Sequence, residues 1–136
     1  MKVLEDAIKD NAKDGQPIVT WGGRIYYAEE PEYVEKFGRV MSFEYKLINY
    51  LVQGSAADIT KEAIVRFYYH KHRKSTWRFL VTVYDEINIC VPTADVKAAM
   101  ALLKQCMEGV ELDVPMLSDG KVGTNWADLT KYKEAA

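Results

Sequence analysis

Cysteine is scarce in this sequence: Cys90 and Cys106 stand far apart, in no CxxC or other ligand-like spacing. Both therefore read as buried thiols of a protein kept in a reducing compartment. No segment approaches the roughly 20 apolar residues that a membrane span requires. The N-terminal run Met1-Lys2-Val3-Leu4-Glu5-Asp6 places acids where a secretory signal would need an apolar stretch, so a cytoplasmic protein is expected. A basic excess is missing too. With a formal net charge of -2 and an isoelectric point near 5.7, the chain does not resemble a small module that grips nucleic acid unaided. It also has no internal repeat, low-complexity tract or linker, so residues 1–136 read as one domain.

What is present suits an ordinary globular protein. Hydrophobic residues make up 49% and charged residues 28%, a composition that excludes disorder. A domain of this size can bury roughly two thirds of the surface its unfolded chain exposes, without help from disulfides. Nine tyrosines mildly favour strands and a polar-tipped aromatic surface.

Periodicity divides the chain into alternating helices and hairpins. Leu4, Ile8 and Ala12 recur at helical spacing, and Asp14-Gly15 supplies a stop. Pro17 to Trp21 and Arg24 to Tyr27 are β-rich runs separated by Gly22-Gly23, a pair suited to a two-residue hairpin turn. From Val40 to about Arg73 the pattern is helical, with Val52, Ala56, Ile59, Ala63 and Phe67 on one stripe. A break at Gln53-Gly54-Ser55 is expected to make this two consecutive helices. A basic loop follows from His70 to Thr76. Arg78 to Val83 and Ile87 to Val91 then form a second hairpin, with Phe79, Val81 and Val83 alternating against Leu80, Thr82 and Tyr84. Thr93 or Asp95 can cap a helix through Met107 whose apolar face is Val96, Met100, Leu103 and Met107. Leu112 to Leu117 reads as a short strand, Ser118-Asp119-Gly120 as a turn, and Trp126 to Tyr132 as a last helical turn or two. The expected class is α+β, with antiparallel β-hairpins packed against helices.

The second hairpin places Asp85 and Glu86 at its tip. Adjacent carboxylates between apolar strands could hold a hard divalent cation through oxygen ligands, although Asp is also among the commonest turn residues. His70-Lys71-His72-Arg73-Lys74 has a histidine spacing that could bind a metal, but its adjacent cations favour a solvated basic loop, near a phosphate backbone if anywhere.

Four segments, in order, carry a resemblance. They are Thr20-Trp21-Gly22-Gly23-Arg24, the stretch Leu47 to Lys61 containing Gln53-Gly54-Ser55-Ala56-Ala57-Asp58, the hairpin Val81-Thr82-Val83-Tyr84-Asp85-Glu86-Ile87, and Val122-Gly123-Thr124-Asn125-Trp126. Together they resemble the C-terminal palm segment of family A DNA polymerases, bacteriophage or bacterial DNA polymerase I-like, in phrasing closer to the phage enzymes. The resemblance covers nearly the whole chain. It implies that Asp85 corresponds to the motif C metal ligand and Glu86 to a supporting acid. Tyr84 stands where many members have a histidine near the primer terminus; a phenol can donate a hydrogen bond and stack, but it is not cationic at neutral pH. Asn49 and Gln53 match amides that touch the minor groove of the primer-template, whose acceptors occur in every base pair; both also read as helix-end capping residues. The bacterial pattern has an arginine four residues before that asparagine, where this chain has Tyr45 with Lys46 beside it, which makes Lys46 a candidate DNA contact.

The family's chemistry uses two Mg2+ ions, and one ligand comes from this segment. The other aspartate strand, the fingers helix that grips the incoming deoxynucleoside triphosphate, and the thumb are not in this sequence. Neither is a Walker-type or dinucleotide-type glycine loop that could replace them. The resemblance therefore implies part of a DNA-directed DNA polymerase, inactive alone and completed by an upstream fragment carrying the remaining palm, fingers and thumb, in a bacterial cell or a phage-infected host. Two alternatives stay open: a non-catalytic palm-like remnant or adaptor for DNA or protein contact, and an unrelated small interaction domain.

Overall fold

In the computed structural model, which describes residues 2–133, the chain is α+β. Among the described residues every strand belongs to a two-stranded antiparallel hairpin. The chain divides into two compact units, Met1–Asp58 and Ile59–Ala136.

In the first unit, α1 (Lys2–Lys13) turns Ile8 into the core and carries the pairs Lys9–Glu5 (2.6 Å) and Lys13–Asp10 (2.9 Å) on its outer face. It stops at Gly15, whose φ of 72° suits a residue without a Cβ. The strands β1 (Ile18–Val19) and β2 (Ile25–Tyr26) pair Ile18 with Tyr26 and Val19 with Ile25. The loop between them is longer than the expected two residues. Thr20 N–H donates to the Arg24 carbonyl (2.8 Å) and Gly23 N–H to the Thr20 carbonyl (2.9 Å). Trp21, Gly22 and Gly23 thus make a three-residue loop with Gly23 at positive φ.

The region from Val40 onward departs from its helical pattern. Strands β3 (Glu32–Val34) and β4 (Arg39–Met41) form another hairpin, turned by a short 3-10 segment, Glu35–Phe37, and by Gly38 at φ 58°. Helix α2 begins only at Lys46 and runs unbroken to Tyr69. The expected break at Gly54 does not occur, and the packing shows why glycine stands there: a Cβ would lie 2.8 Å from Thr20 Cγ2. The glycine costs the helix about 1 kcal/mol against alanine but lets the β1–β2 hairpin lie directly on α2. Ile8, Ile18 and Leu47 form the buried core here, with Tyr26, Ile48 and Leu51 packed around them.

The second unit takes the remainder of α2, then β5 (Arg78–Val83), β6 (Glu86–Cys90), α3 (Val96–Glu108), β7 (Lys121–Val122) and β8 (Thr130–Lys131). Its core is Phe67, Trp77, Ala99, Leu102, Leu103 and Cys106, with Phe79, Ile87, Ile89 and Val91 packed against it. Phe67 stacks on Trp77 (6.1 Å between ring centres) and meets Phe79 edge-on (5.5 Å), the geometries aromatic quadrupoles favour. The simple alternation expected of β5 fails because Phe79 pairs with Ile89 while Val81 pairs with Asn88. Leu80 is therefore the extra residue of a bulge, and Val81 is turned outward. The α3 face is also rotated from expectation: Ala99, Leu102, Leu103 and Cys106 are buried, whereas Val96, Met100 and Met107 are only half-buried.

Asp95 precedes α3 without a side-chain cap, because its carboxylate accepts from Lys74 Nζ (2.5 Å) and Trp77 Nε1 (3.0 Å) instead. Those bonds hold its carboxyl below the usual range, Lys74 contributing most. Cys90 is exposed, contrary to expectation, while Cys106 is buried. The pleat that turns Ile87 and Ile89 inward turns Cys90 out. Burial pushes the Cys106 thiol up.

After α3, Glu108 Oε1 accepts from both Ser118 N–H (2.7 Å) and Ser118 Oγ (3.0 Å). The expected strand at Leu112 to Leu117 pairs with no strand among the described residues and stays irregular, with Val114 and Leu117 exposed. Nor do Trp126 to Tyr132 turn helical. Asn125 Oδ1 accepts from Ala127 and Asp128 N–H, an Asx turn that sends the chain back, and β7 and β8 pair Lys121 with Lys131 and Val122 with Thr130.

Candidate active site

The tip of the β5–β6 hairpin is built by a two-residue loop. Val83 and Glu86 are the last cross-strand pair, which leaves Tyr84 and Asp85 as the turn. Two-residue hairpins need positive φ at the first loop position, and Tyr84 adopts φ 52°, alone among described non-glycine residues. A side chain in that region costs roughly 1–2 kcal/mol. The strain projects Tyr84 almost wholly into solvent, 94% exposed. Asp85 sits beside it in the turn, and Glu86 opens β6; both are exposed.

Carboxylate oxygens are the donors a Mg2+ ion prefers, so the tip fits such an ion in kind. It does not fit in number: among the described residues no group of three or more His, Cys, Asp or Glu could hold a metal. This includes the His70–Lys74 loop. There the His70 and His72 rings lie 5.4 Å apart, and His72 N–H donates to His70 Nδ1 (3.3 Å).

Asn49 and Gln53 lie one turn apart on α2 and are exposed, so i and i+4 spacing presents both amides on one face. Lys46 lies in the same first turns but is engaged. Its ammonium pairs with Glu29 (2.6 Å) and sits 4.2 Å from the centre of the Phe43 ring. Tyr50 Oη donates to the other Glu29 oxygen (2.7 Å). The Lys46 bond, then the Tyr50 bond, hold the Glu29 carboxyl below its ordinary range. The two amides belong to the first unit and the two carboxylates to the second.

Sequence reasoning did not single out a buried network next to Gln53. Asp58, 8% exposed, accepts at Oδ2 from Thr20 Oγ1 (2.5 Å) and from Gly22 N–H (3.1 Å), and at Oδ1 it pairs with the Arg24 guanidinium. Thr20 Oγ1 in turn accepts from Arg24 N–H (3.1 Å), and Ser55 Oγ accepts from Trp21 N–H (3.0 Å). The Thr20 hydroxyl, followed by the Gly22 amide and Arg24, holds the Asp58 carboxyl below its usual range against the opposing effect of burial. Gly22 is required at this contact, since a Cβ would lie 2.6 Å from Asp58 Cγ. The network fastens the first hairpin to the turn of α2 that follows Gln53. Two sequence signals bear on it: both segments lie within the resemblance described above, and Gly22 and Gly54 flank the contact.

The family model for DNA polymerase family A matches residues 2–128. The chain belongs to the family A DNA polymerases. It is 32% identical over 124 residues to a Caenorhabditis elegans protein named DNA polymerase theta, covering 89% of this chain and 8% of that protein. With the DNA polymerase I of Lactococcus lactis it shares 41% over 81 residues, 58% of this chain and 9% of the relative. With that of Bacillus subtilis it shares 30% over 128 residues, 92% of this chain and 14% of the relative. The chain thus spans only a small part of the length of these polymerases. Among the described residues no helix is long and apolar enough to cross a membrane.

Proposed function

We propose that residues 1–136 form the C-terminal part of the palm of a DNA-directed DNA polymerase and act in templated nucleotidyl transfer, completed by an upstream fragment that carries the rest of the palm, the fingers and the thumb. One observation carries this reading: within a family A match, the end of a hairpin holds Asp85 and Glu86 exposed, and neither makes an ion pair or side-chain hydrogen bond among the described residues. In this reading Asp85 is the metal ligand that the chain contributes, and Glu86 supports it. Tyr84 donates its hydroxyl proton or stacks at the primer 3′ end. Asn49 and Gln53 hydrogen-bond minor-groove acceptors of the primer-template, which allows binding with little sequence preference. Lys46 steadies Glu29 and meets the DNA backbone only if that pair opens. When bound, Mg2+ would supply charge stabilisation at the attacking and leaving oxygens. The two carboxylates fall short of a full coordination shell, which supports a role completed by another fragment.

The test is reconstitution. Mixing the chain with the upstream fragment, primer-template and deoxynucleoside triphosphates in magnesium should give primer extension that neither part gives alone. Asp85→Asn keeps size and hydrogen bonding but removes the charge. It should lower the rate about a thousandfold or more, equivalent to about 4 kcal/mol of transition-state stabilisation, and Glu86→Gln should cost less. Near-normal extension by Asp85→Asn would make the turn acids structural and the chain a non-catalytic adaptor.

A further inference from the structure

Charge in this acidic chain is unevenly distributed. Between Glu62 and Asp85 there is no carboxylate, while the same stretch holds Arg66, Lys71, Arg73, Lys74, Arg78 and both histidines of the chain. A solvated loop needs no such exclusion of acids, whereas a surface that meets phosphates does. Two of the cations are matched from outside the stretch, Arg66 by Glu62 (2.8 Å) and Lys74 by Asp95 (2.5 Å). Lys71 is exposed and makes no ion pair among the described residues.

Aromatic rings stand among these cations. Tyr69 is 79% exposed at the end of α2. Its neighbour Tyr68, 50% exposed, carries the Arg73 guanidinium 4.7 Å from its ring centre and meets Tyr69 edge-to-face, 5.0 Å between centres. Beside them lies a shallow, solvent-open cleft lined by Arg66, Tyr69, His70 and Lys71 together with Gln105 and Gly109. An open groove that joins cations to an exposed ring suits an extended strand. The cleft is shaped further by Arg66, whose Nη1 donates to the Gly109 carbonyl (2.6 Å).

We infer that the end of α2 and the loop after it form a binding surface for single-stranded DNA, with Tyr69 as the stacking platform for a base and Lys71, with His70 and Arg66 behind it, as the seat for the adjoining phosphates. Single strands are favoured over duplex because an exposed ring can stack only on a base that has left its own stack. An acidic peptide would use the cations but leave Tyr69 without a role. The inference rests on the second unit alone and not on the minor-groove role of Asn49 and Gln53.

The experiment measures fluorescence anisotropy of a labelled twelve-nucleotide oligo(dT) with the full 136-residue chain, over a salt series, beside a hairpin duplex of equal length. Tyr69→Ala should weaken oligo(dT) binding about 5- to 150-fold with the salt slope unchanged, the range seen for removing one stacked base. Lys71→Ala should reduce the slope of log affinity against log salt by about 0.7. Tyr69→Trp should restore binding, and Lys97→Ala, at an exposed cation outside the cleft, should bind oligo(dT) with the affinity and salt slope of the parent. A loss in Lys97→Ala equal to that in Lys71→Ala would assign the affinity to diffuse charge attraction and overturn the inference. So would parental affinity in Tyr69→Ala, an unchanged slope in Lys71→Ala, or duplex bound as tightly as the single strand. Both substituted residues are exposed, and retained amide-exchange protection of the Trp77 core would exclude unfolding as the cause of any loss.

Discussion

Asp58→Asn probes how the first hairpin is held on α2, and the geometry sets the size of its effect. Thr20 and Gly22 both donate to Oδ2 while Arg24 pairs with Oδ1. The best asparagine rotamer keeps its carbonyl at the Oδ2 position, so the first two bonds survive in neutral form and the NH2 group faces the guanidinium. A hydrogen bond to a charged group contributes about 1.5–3 kcal/mol against about 0.5–1.5 for a neutral one. The Arg24 side chain is 38% exposed and can turn to water, which limits the penalty of losing its partner. We expect a loss of about 2 kcal/mol from Asp58→Asn, and about 3–4 from Asp58→Ala, which leaves the buried Thr20 hydroxyl with no acceptor. Amide hydrogen exchange at Gly22 and Arg24 reads this locally, and 2 kcal/mol corresponds to a drop in protection of about thirtyfold.

The same substitution has a pH signature. Asp58 is held below its ordinary value in the folded chain, so in acid the unfolded state binds the proton first and stability rises with pH through that range. The contribution is complete above the unfolded value of about 4 and is lost as pH falls below it. Asp58→Asn should flatten that acid limb while lowering stability at neutral pH. A change under about 0.5 kcal/mol, or an acid limb identical to that of the parent, would mean that packing of Ile18 and Tyr26 holds the hairpin and the network is incidental.

Gly54→Ala gains about 1 kcal/mol of helix propensity but drives a methyl to 2.8 Å from Thr20 Cγ2. Thr20 is buried and fixed by its bond to Asp58, so overpacking should win by about 1 kcal/mol in urea denaturation. Tyr84→Gly should stabilise the chain by about 1 kcal/mol by relieving the positive φ, yet reduce primer extension in the reconstituted enzyme; a gain in both would remove Tyr84 from the primer end. Asn49→Ala and Gln53→Ala alter exposed positions and should change stability by under about 0.5 kcal/mol. Each should weaken primer-template binding about two- to tenfold by anisotropy, and parental binding would return both amides to the role of plain surface residues.

What was legible in the sequence were features whose cause is local. A β-rich run, a turn residue and a second run mark the β1–β2 and β5–β6 hairpins, and the 3.6-residue stripe of Leu4, Ile8 and Ala12 marks α1. Two of the departures share one cause: a distant contact outweighed a local preference. Gly54 reads as a helix break until Thr20 is found against it, and Asp95 reads as a cap until Lys74 and Trp77 take its oxygens. Leu112 to Leu117 has strand composition but, among the described residues, no strand beside it. One inserted residue at Leu80 shifts a pattern of period two for half of β5.

The candidate site divides along the same line. Asp85 and Glu86 are adjacent in sequence at the end of one hairpin, so their shared exposure there could be read directly. Arg24 and Asp58 converge only because a three-residue loop and an unbroken helix bring them together. Taken singly, each reads as an ordinary solvated charge, and nothing in either one's neighbours specifies the other. The glycines gave the better clue. Gly22 and Gly54 flank this contact, and at each a Cβ would fall within 3.0 Å of the opposite segment. A glycine retained in a helix interior against a cost of about 1 kcal/mol implies a neighbour at close range, and the polar residues beside it, Ser55 and Asp58, are the ones placed to bond that neighbour.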